Sequence, residues 1–297
     1  MSYTVKIVLC IVAYIILAPI IGGLTSGMDR IITARMQGRQ GPPLLQPFYD
    51  VIKLLKKETV VVNRVQIFYL SIFLVFVVFT GCLFFGGFDL LLVFFALTTA
   101  NVFLVLAATS SHSPYASMGA NREMMQMLAY EPMVLLTAVG FYLATGTFKV
   151  REIVHHDGVL PFILLPGVFV GFVFILTIKL RKHPFDLATS HHAHQEMVKG
   201  ITTEFSGQMF AVVEIAHWYE NVFLMGVIAL FFINASWWTI FFAALAIAIT
   251  YFVLILVDNT NARVKWKKMF KNSWLTTIII GALNVFILEV LTKGVGV

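Results

Sequence analysis

Acidic residues occur within or beside several apolar runs of the sequence, where a charge is costly. They are Glu123, Glu131, Glu204, Glu214, Glu220 and Glu289. A carboxylate inside a bilayer costs at least about 2.5–3.5 kcal/mol, so each is expected to face a cavity or a partner. Such groups can pass ions between them, which makes them candidates for an ion path. Glu220 fits either this role or a hydrogen bond to a neighbouring helix.

The spacing of these acids predicts which of them share a helix face. Glu123 and Glu131 are eight residues apart, which places them within roughly 80° of each other on a helix. Glu214, His217 and Asn221 follow an i, i+3, i+7 pattern, which is typical of one face. We therefore predict that Glu123, Glu131, Glu214 and His217 belong to the ion path.

A histidine-rich stretch, HPFDLATSHHAHQEMVKGITTEFSG, separates two of the apolar runs. Its histidines after the PFDL motif are His191, His192 and His194, and its acids are Asp186, Glu196 and Glu204. A metal site is disfavoured, because the stretch has neither an HExxH motif nor a cysteine. Histidines beside acids fit proton uptake or a polar docking surface better.

The composition requires a membrane protein. The chain has 297 residues, of which 59% are hydrophobic and 12% charged, whereas soluble domains carry about 25% charged residues. Eight runs approach the roughly 20 apolar residues of a transmembrane helix, and none alternates as a strand would. These predicted spans are 3–26, 65–86, 88–109, 127–148, 159–180, 208–233, 237–257 and 273–292. We predict a single all-α membrane domain over 1–297, in which Cys10 and Cys82 are apolar fillers.

The basic residues predict the orientation. With the N-terminus outside, 17 of the 21 Lys and Arg residues fall on the cytoplasmic side, which agrees with the positive-inside bias. The cytoplasmic loops would then be 27–64, 110–126, 181–207 and 258–272. The net charge of +6 is explained by this orientation and by a membrane-adjacent partner, so nucleic acid is not expected.

The segment PLLQPFYDVIKLLKKE, residues 43–58, is too polar to span a bilayer. Its apolar and charged residues separate onto two faces, which predicts a helix lying in the membrane interface. A packed helix outside the membrane is the alternative.

Three long motifs resemble one known family. MDRIITARMQGRQGP with LLQPFYDVIKLLKKE resembles the first cytoplasmic loop of the complex I subunit 1 family. REMMQMLAYE, and then PFDL with EMVKGITTEFSG, resemble the second and third motifs in the same order. This family is the membrane subunit, shared with membrane-bound [NiFe] hydrogenases, that anchors the peripheral redox arm.

The resemblance implies roles for particular residues. It implies eight spans, an outside N-terminus, and a junction with the redox arm built by the loops after spans 1, 3 and 5. The acids Asp186, Glu131, Glu196 and Glu204 would open the ion path. Glu214 would be the family acid of the sixth span, unless that acid aligns near Trp218. Junction residues are expected to be Arg30, Arg35, Arg39, Asp50, Lys53, Arg122, His191, His192 and His194.

Departures from the quinone-reducing pattern favour one branch of the family. Quinone-reducing members carry an acidic run after PFDL, whereas this chain has ATSHHAHQE, and Lys179 stands where they carry a glutamate. The pattern therefore resembles the ferredoxin-dependent, Ech-type energy-converting [NiFe] hydrogenases. We place Lys179 on the ion path as a counter-charge to Glu196 or Glu204.

This resemblance implies a cytoplasmic-membrane subunit without a cofactor of its own. Iron–sulfur clusters and the [NiFe] centre would lie in partner subunits. Expected partners are the hydrogenase large and small subunits, an iron–sulfur protein, an antiporter-like membrane subunit, the lipid bilayer and, indirectly, ferredoxin. Three alternatives stay open: a quinone-reducing complex, a formate-coupled complex, and a passive scaffold for the redox arm. A solute carrier is disfavoured, because no internal repeat is evident.

Overall fold

The computed structural model describes residues 3–60, 63–182, 184–189 and 196–294, and this part of the chain is almost entirely helical. The helices are α1 Tyr3–Met36, α2 Gln46–Leu55, α3 Arg64–Phe85, α4 Leu90–Thr109, α5 Pro114–Thr145, α6 Val150–Val154, α7 Pro161–Leu164, α8 Pro166–Lys179, α9 Gly207–Leu230, α10 Thr239–Thr260, α11 Trp266–Thr276 and α12 Leu283–Gly294. A π-helical segment, Thr277–Ala282, joins α11 to α12. In this described part, β pairing is limited to two isolated bridges, so the predicted all-α fold is confirmed.

Seven helices in the described ranges are long and apolar enough to cross a membrane. They are α1, α3, α4, α5, α9, α10 and the continuous run Trp266–Leu291. The predicted span 159–180 is divided between α7 and α8, and α8 has only 14 residues. At 1.5 Å per residue α8 is about 21 Å long, which is shorter than the roughly 30 Å hydrocarbon core.

A side chain from the last span stabilises the break between α7 and α8. Asn284 Oδ1 accepts hydrogen bonds from the backbone N–H groups of Gly167 (3.0 Å) and Val168 (3.1 Å). The Asn284 amide also donates to the Leu164 carbonyl at 3.3 Å. Backbone polar groups at membrane depth must be satisfied within the protein, and Asn284 satisfies three of them at this break.

Two helices extend beyond their predicted spans. α1 continues to Met36 rather than ending near 26, and α5 begins at Pro114 rather than near 127. The loops predicted at 27–64 and 110–126 are therefore partly helical. Charged residues interrupt the apolar run before 127, but Arg122 and Glu123 have ionic partners here, so the helix tolerates them.

The core is built around α3, which packs along α4 on one side and α9 on another. Phe73 and Leu70 of α3, Leu104 of α4 and Phe223 of α9 are almost completely buried. α9 is thereby held at the centre of the bundle. Its side chains are available to several neighbouring helices at once.

The predicted amphipathic helix corresponds to α2, which lies across the first turns of α9. Val51 is buried against Ala211 and Trp218 of α9. Tyr49 and Ile52, on other sides of α2, are about half exposed, and Lys53 is exposed too. α2 is therefore attached to the bundle by one face and leaves an apolar surface uncovered, as expected for an interfacial helix.

Candidate functional site

A cavity of about 580 Å³ lies among the ends of α1, α8, α9 and α10. Ionisable side chains from all four elements and from the segment after α8 line it: Asp29, Arg30, Arg39, Lys179, Arg181, Lys182, Glu214, His217, Glu220, Tyr251 and Asp258. Of the predicted site residues, the cavity brings together Lys179, Glu214, His217, Arg30 and Arg39.

The predicted polar face of α9 opens onto this cavity. Glu214, His217 and Asn221 all line it, as the i, i+3, i+7 spacing predicts. Asn221 donates its side-chain N–H to the Tyr251 hydroxyl of α10 at 3.2 Å. Within the described residues, His217 Nε2 and Asn221 Oδ1 are buried without a hydrogen-bond partner. The face therefore retains hydrogen-bonding capacity that the protein itself does not use.

A buried ion pair crosses from α8 to α9 beside this face. Lys179 Nζ is 2.9 Å from Glu220 Oε1, and both side chains are less than 10% exposed. His217 Nδ1 lies 3.4 Å from the other oxygen, Glu220 Oε2. The Lys179 ammonium also sits 4.7 Å from the ring centre of Tyr130 in α5, within cation–π range.

This geometry corrects the hypothesis for Lys179. Its partner is Glu220, whereas Glu196, one of the two partners we predicted, pairs with Arg122 and Arg263. Glu204 is half-buried in the turn before α9 and forms no ion pair with a described residue. Sequence reasoning left Glu220 undecided, yet it is the acid of α9 that carries the buried pair.

A second ionic cluster lies at the rim of the cavity, around Lys182 of the segment that follows α8. Lys182 Nζ contacts Asp29 of α1 and lies 3.4 Å from Asp258 of α10. Burial alone would lower the pKa of Lys182, but Asp29 and Asp258 outweigh burial and raise it above its usual value. The cluster thus ties the end of α8 to α1 and α10 with the lysine charged.

Asp186 is the centre of a third cluster, and its side chain is completely buried. Arg263 donates to its Oδ2 at 2.9 Å, Arg122 lies 3.5 Å away, and the Glu196 backbone N–H donates to its Oδ1 at 3.2 Å. The Glu196 carboxylate meets Arg122 at 3.0 Å and Arg263 at 3.4 Å. Backbone hydrogen bonds between the Pro184–Asp186 segment and Val264 run alongside. We call this group of Asp186, Glu196, Arg122 and Arg263 the junction clamp.

The two acids of α5 face different neighbours. Glu123 is buried with Arg181 at 3.8 Å, and its Oε2 has no hydrogen-bond partner among the described residues. Glu131 meets Thr98 of α4 and is within electrostatic range of Lys179. Its Oε1 is buried, also without a hydrogen-bond partner in the part of the chain described. Lys179 therefore contacts Glu220 of α9 directly and acts on Glu131 of α5 at longer range.

The predicted junction residues divide into paired and exposed groups. Arg30 and Asp50 form an exposed ion pair at 2.6 Å that links α1 to α2. Partial burial opposes ionisation of Asp50, but hydrogen bonds from Arg30 and Gln46 prevail and lower its pKa. Arg35, Arg39 and Lys53 are exposed. His191, His192 and His194 lie outside the described residues.

Several ionic residues of the site were missed by sequence reasoning. Asp29, Lys182 and Asp258 were read only as loop or interfacial residues, because each lies at the end of an apolar run. The sequence did contain a signal for this cluster. Two of the predicted spans end near an acid and a third ends near a lysine, and these opposite charges can compensate one another. Their pairing depends on helix packing and is not encoded in local spacing.

Three relatives are similar to this chain over most of its length. A subunit of the NADH-quinone oxidoreductase of Ehrlichia ruminantium (strain Gardel) is 30% identical, over 83% of this chain and 79% of its own. The corresponding subunit of Ehrlichia chaffeensis is 31% identical, over 77% and 72%. A chain of the archaeal membrane-bound sulfane sulfur reductase, a respiratory membrane complex, has the same fold, with a TM-score of 0.82 and 24% identity over 95% of this chain and 99% of its own.

The match to a family model covers nearly the entire bundle. The model described as NADH dehydrogenase matches residues 6–289, from the first span to the last. The motif residues Arg30, Asp50, Arg122, Asp186 and Glu196 that carried the resemblance all have defined ionic partners. The chain therefore belongs to the complex I subunit 1 family, and it is a membrane subunit of a complex I-like oxidoreductase.

Proposed function

We propose that this subunit anchors a soluble redox arm and moves H⁺ or Na⁺ between the cavity and the bundle interior. The observation that carries the proposal is the Lys179–Glu220–His217 cluster, which lines the cavity and whose lysine is also within electrostatic range of Glu131. Charges at this depth are costly unless they are paired or functional. Glu131 Oε1, His217 Nε2 and Asn221 Oδ1, without partners among the described residues, provide polar stations on both sides of the pair.

Lys179 would couple the two sides electrostatically. While Lys179 pairs with Glu220, the lysine compensates the negative charge of that acid, and its electrostatic effect on Glu131 acts only over a longer distance. An event in the cavity that changes the charge of Glu220 or His217 would free the lysine to compensate Glu131. Interacting sites of this kind titrate as a group rather than singly, which is the property that a relay requires.

The junction clamp would hold in place the surface on which the redox arm is anchored. It binds the segment after α8 to α5 and to the segment before α11. With the predicted orientation, this end faces the cytoplasm, where the redox arm docks. The exposed residues Arg35, Arg39 and Lys53, and the histidines 191, 192 and 194, would contribute to the docking surface.

For the partner reaction we propose a ferredoxin-dependent [NiFe] hydrogenase. The support is the pair of departures noted in the sequence: histidines replace the acidic run after PFDL, and Lys179 replaces a glutamate. In the structure, the lysine at this position forms an ion pair with Glu220. Iron–sulfur clusters, the [NiFe] centre and an antiporter-like subunit would belong to partners in this complex.

Quinone reduction is the second candidate, favoured by the names of the bacterial relatives, which are subunits of NADH-quinone oxidoreductases. The two candidates are separated by isolating the complex through a tag on this chain. Nickel in the complex and hydrogen evolution from reduced ferredoxin would support the hydrogenase. Absence of both, together with quinone-dependent oxidation of a donor, would replace it with the second candidate.

Ion movement is tested with the same complex in sealed vesicles. Glu131→Gln should lower redox-driven ion uptake at least about tenfold, whereas redox turnover persists. Glu152→Gln is the matched control, because Glu152 is an exposed acid next to Lys149 at the other end of the bundle. Normal uptake by Glu131→Gln would instead favour a passive scaffold, with ions moving through another subunit.

A further inference from the structure

Four lysines lie at the beginning of α11 and just before it, at the polar end of the last candidate span, Trp266–Leu291. Lys265, Lys267, Lys268 and Lys271 are all exposed, and the helix has no acidic residue in its first turn. This arrangement is opposite to the usual preference, because the positive end of the helix dipole disfavours cations and favours anions. An anionic group close to these four lysines would offset that repulsion.

The protein itself does not supply that partner in the part of the chain described. No carboxylate there forms an ion pair with any of the four lysines. Lys267 Nζ lies 5.9 Å from the ring centre of its neighbour Trp266. The lysine charges are thus directed outward.

The exposed side of α11 places the lysines at the level of lipid headgroups. Lys267, Lys271 and Trp274 follow an i, i+4, i+7 pattern and lie on one face of the helix. Trp274 and Leu275 are exposed, and so are Ile278 and Ile279 in the next turn. The face therefore changes from lysine to tryptophan to aliphatic residues, which is the order of a membrane interface.

The vertical distances agree with this assignment. At 1.5 Å per residue, Lys271 lies about 4.5 Å and Lys267 about 10 Å above Trp274 along the helix axis. The polar headgroup region on each side of a bilayer is about 5–8 Å thick. The lysine side chains consequently reach the phosphate layer of the leaflet at the cavity end.

We propose that Lys265, Lys267, Lys268 and Lys271 form a binding site for the phosphate groups of anionic phospholipids. The site would fix the last span against the leaflet beside the cavity. Basic clusters next to a transmembrane helix bind anionic headgroups in this way. An acidic surface on a partner subunit is the competing occupant. The same face continues into exposed Trp274, Leu275 and Ile278, and this succession of basic, aromatic and aliphatic residues favours lipid as the occupant.

The test uses the intact complex isolated through this chain, in uncharged detergent, with a photoactivatable phosphatidylglycerol. In the wild type, crosslinks should map to residues 265–276, and unlabelled phosphatidylglycerol should compete whereas phosphatidylcholine should not. Replacing the four lysines with glutamine should weaken this crosslinking at least about tenfold, since each lysine near an anionic surface contributes a several-fold effect. The same four positions changed to arginine should retain it.

Three results would overturn the site. Undiminished crosslinking in the glutamine variant would show that the lysines do not hold the lipid. Equal competition by phosphatidylcholine would remove the requirement for a negative headgroup. Loss of the soluble redox subunits from the glutamine variant, with lipid crosslinking unchanged, would assign the lysines to a protein partner. The competition experiment on the wild type decides the headgroup question even if the glutamine variant fails to assemble.

Discussion

The junction clamp and the Lys179–Glu220–His217 cluster are both built on buried acids paired with basic side chains. They differ in how far the hydrogen-bonding capacity of the acid is satisfied. Asp186 in the clamp accepts from Arg263 and from a backbone N–H. Arg122 Nη1, which is buried without a hydrogen-bond partner among the described residues, still lies 3.5 Å from the Asp186 carboxylate. The Lys179–Glu220 pair has a single strong contact, and beside it are buried polar atoms that no described residue satisfies. A saturated acid holds chain segments together, whereas an incompletely satisfied cluster can exchange partners.

This difference divides the predicted ion-path residues into two groups with different expected roles. Asp186 and Glu196 were grouped with Glu131 because all are acids in family motifs. The structure places Asp186 and Glu196 in one clamp, with each bound to Arg263. We now expect them to position the junction, and we expect Glu131, Glu214, His217 and Glu220 to respond to charge.

The largest effect should follow from breaking the clamp. Asp186→Asn removes the negative charge that compensates Arg122 and Arg263, and breaking a buried ion pair costs about 3–5 kcal/mol. The thermal unfolding temperature of the complex should fall, and the segment around Glu196 should become sensitive to protease. Asp157→Asn, at an exposed acid of the opposite end, should stay within about 0.5 kcal/mol of the wild type. Equal stability of both variants would mean that the clamp is not structural.

The Lys179 cluster should separate stability from ion movement. Lys179→Met leaves Glu220 buried without its partner and should also cost about 3–5 kcal/mol. The double change Lys179→Met with Glu220→Leu should recover most of that loss, because apolar replacement of a buried pair is often neutral or stabilising. Ion uptake into vesicles should nevertheless be lost in the double variant, as in Lys179→Met alone. Recovery of uptake together with stability would reduce the pair to a packing element.

A smaller effect should come from a tyrosine that holds the segment next to the clamp. The Tyr115 hydroxyl donates to the Val198 carbonyl at 3.0 Å and accepts from the Val198 N–H at 2.9 Å. Tyr115→Phe removes both bonds and should cost about 1–2 kcal/mol. Hydrogen exchange at Val198 should accelerate, whereas ion uptake by the remaining folded complex should not change. Tyr49→Phe, at an exposed position of α2, is the control.

The smallest effect should be found at the exposed pair between α1 and α2. Asp50→Asn should cost no more than about 1 kcal/mol, because exposed ion pairs contribute little. The folded pKa of Asp50 is lowered from its usual value of 3.8. Its contribution is therefore present above that value and is lost as the pH falls through the folded pKa. A spin label on α2 should gain mobility only in that acidic range; the same change near pH 7 would contradict this account.

Local patterns were sufficient for features that depend on neighbouring residues. The i, i+3, i+7 pattern correctly placed Glu214, His217 and Asn221 on one face. Asp89, directly before the apolar run of α4, accepts from the Leu91 N–H at 2.9 Å, which is a cap between neighbouring residues. The span beginning near 127 was placed too late, because the ionic partners of Arg122 and Glu123 are remote in sequence.

The sequence by itself determined the membrane class, the order of the apolar runs, the amphipathic α2 and the family. These follow from hydropathy, helical periodicity and contiguous motifs, all of which are local. Only the tertiary structure decided that Lys179 pairs with Glu220, 41 residues away, that Asp186 meets Arg263 across 77, and that Asn284 completes the break at Gly167 across 117. Periodicity shows which side chains share a face, but the partner of a charge depends on which faces the packed helices bring together.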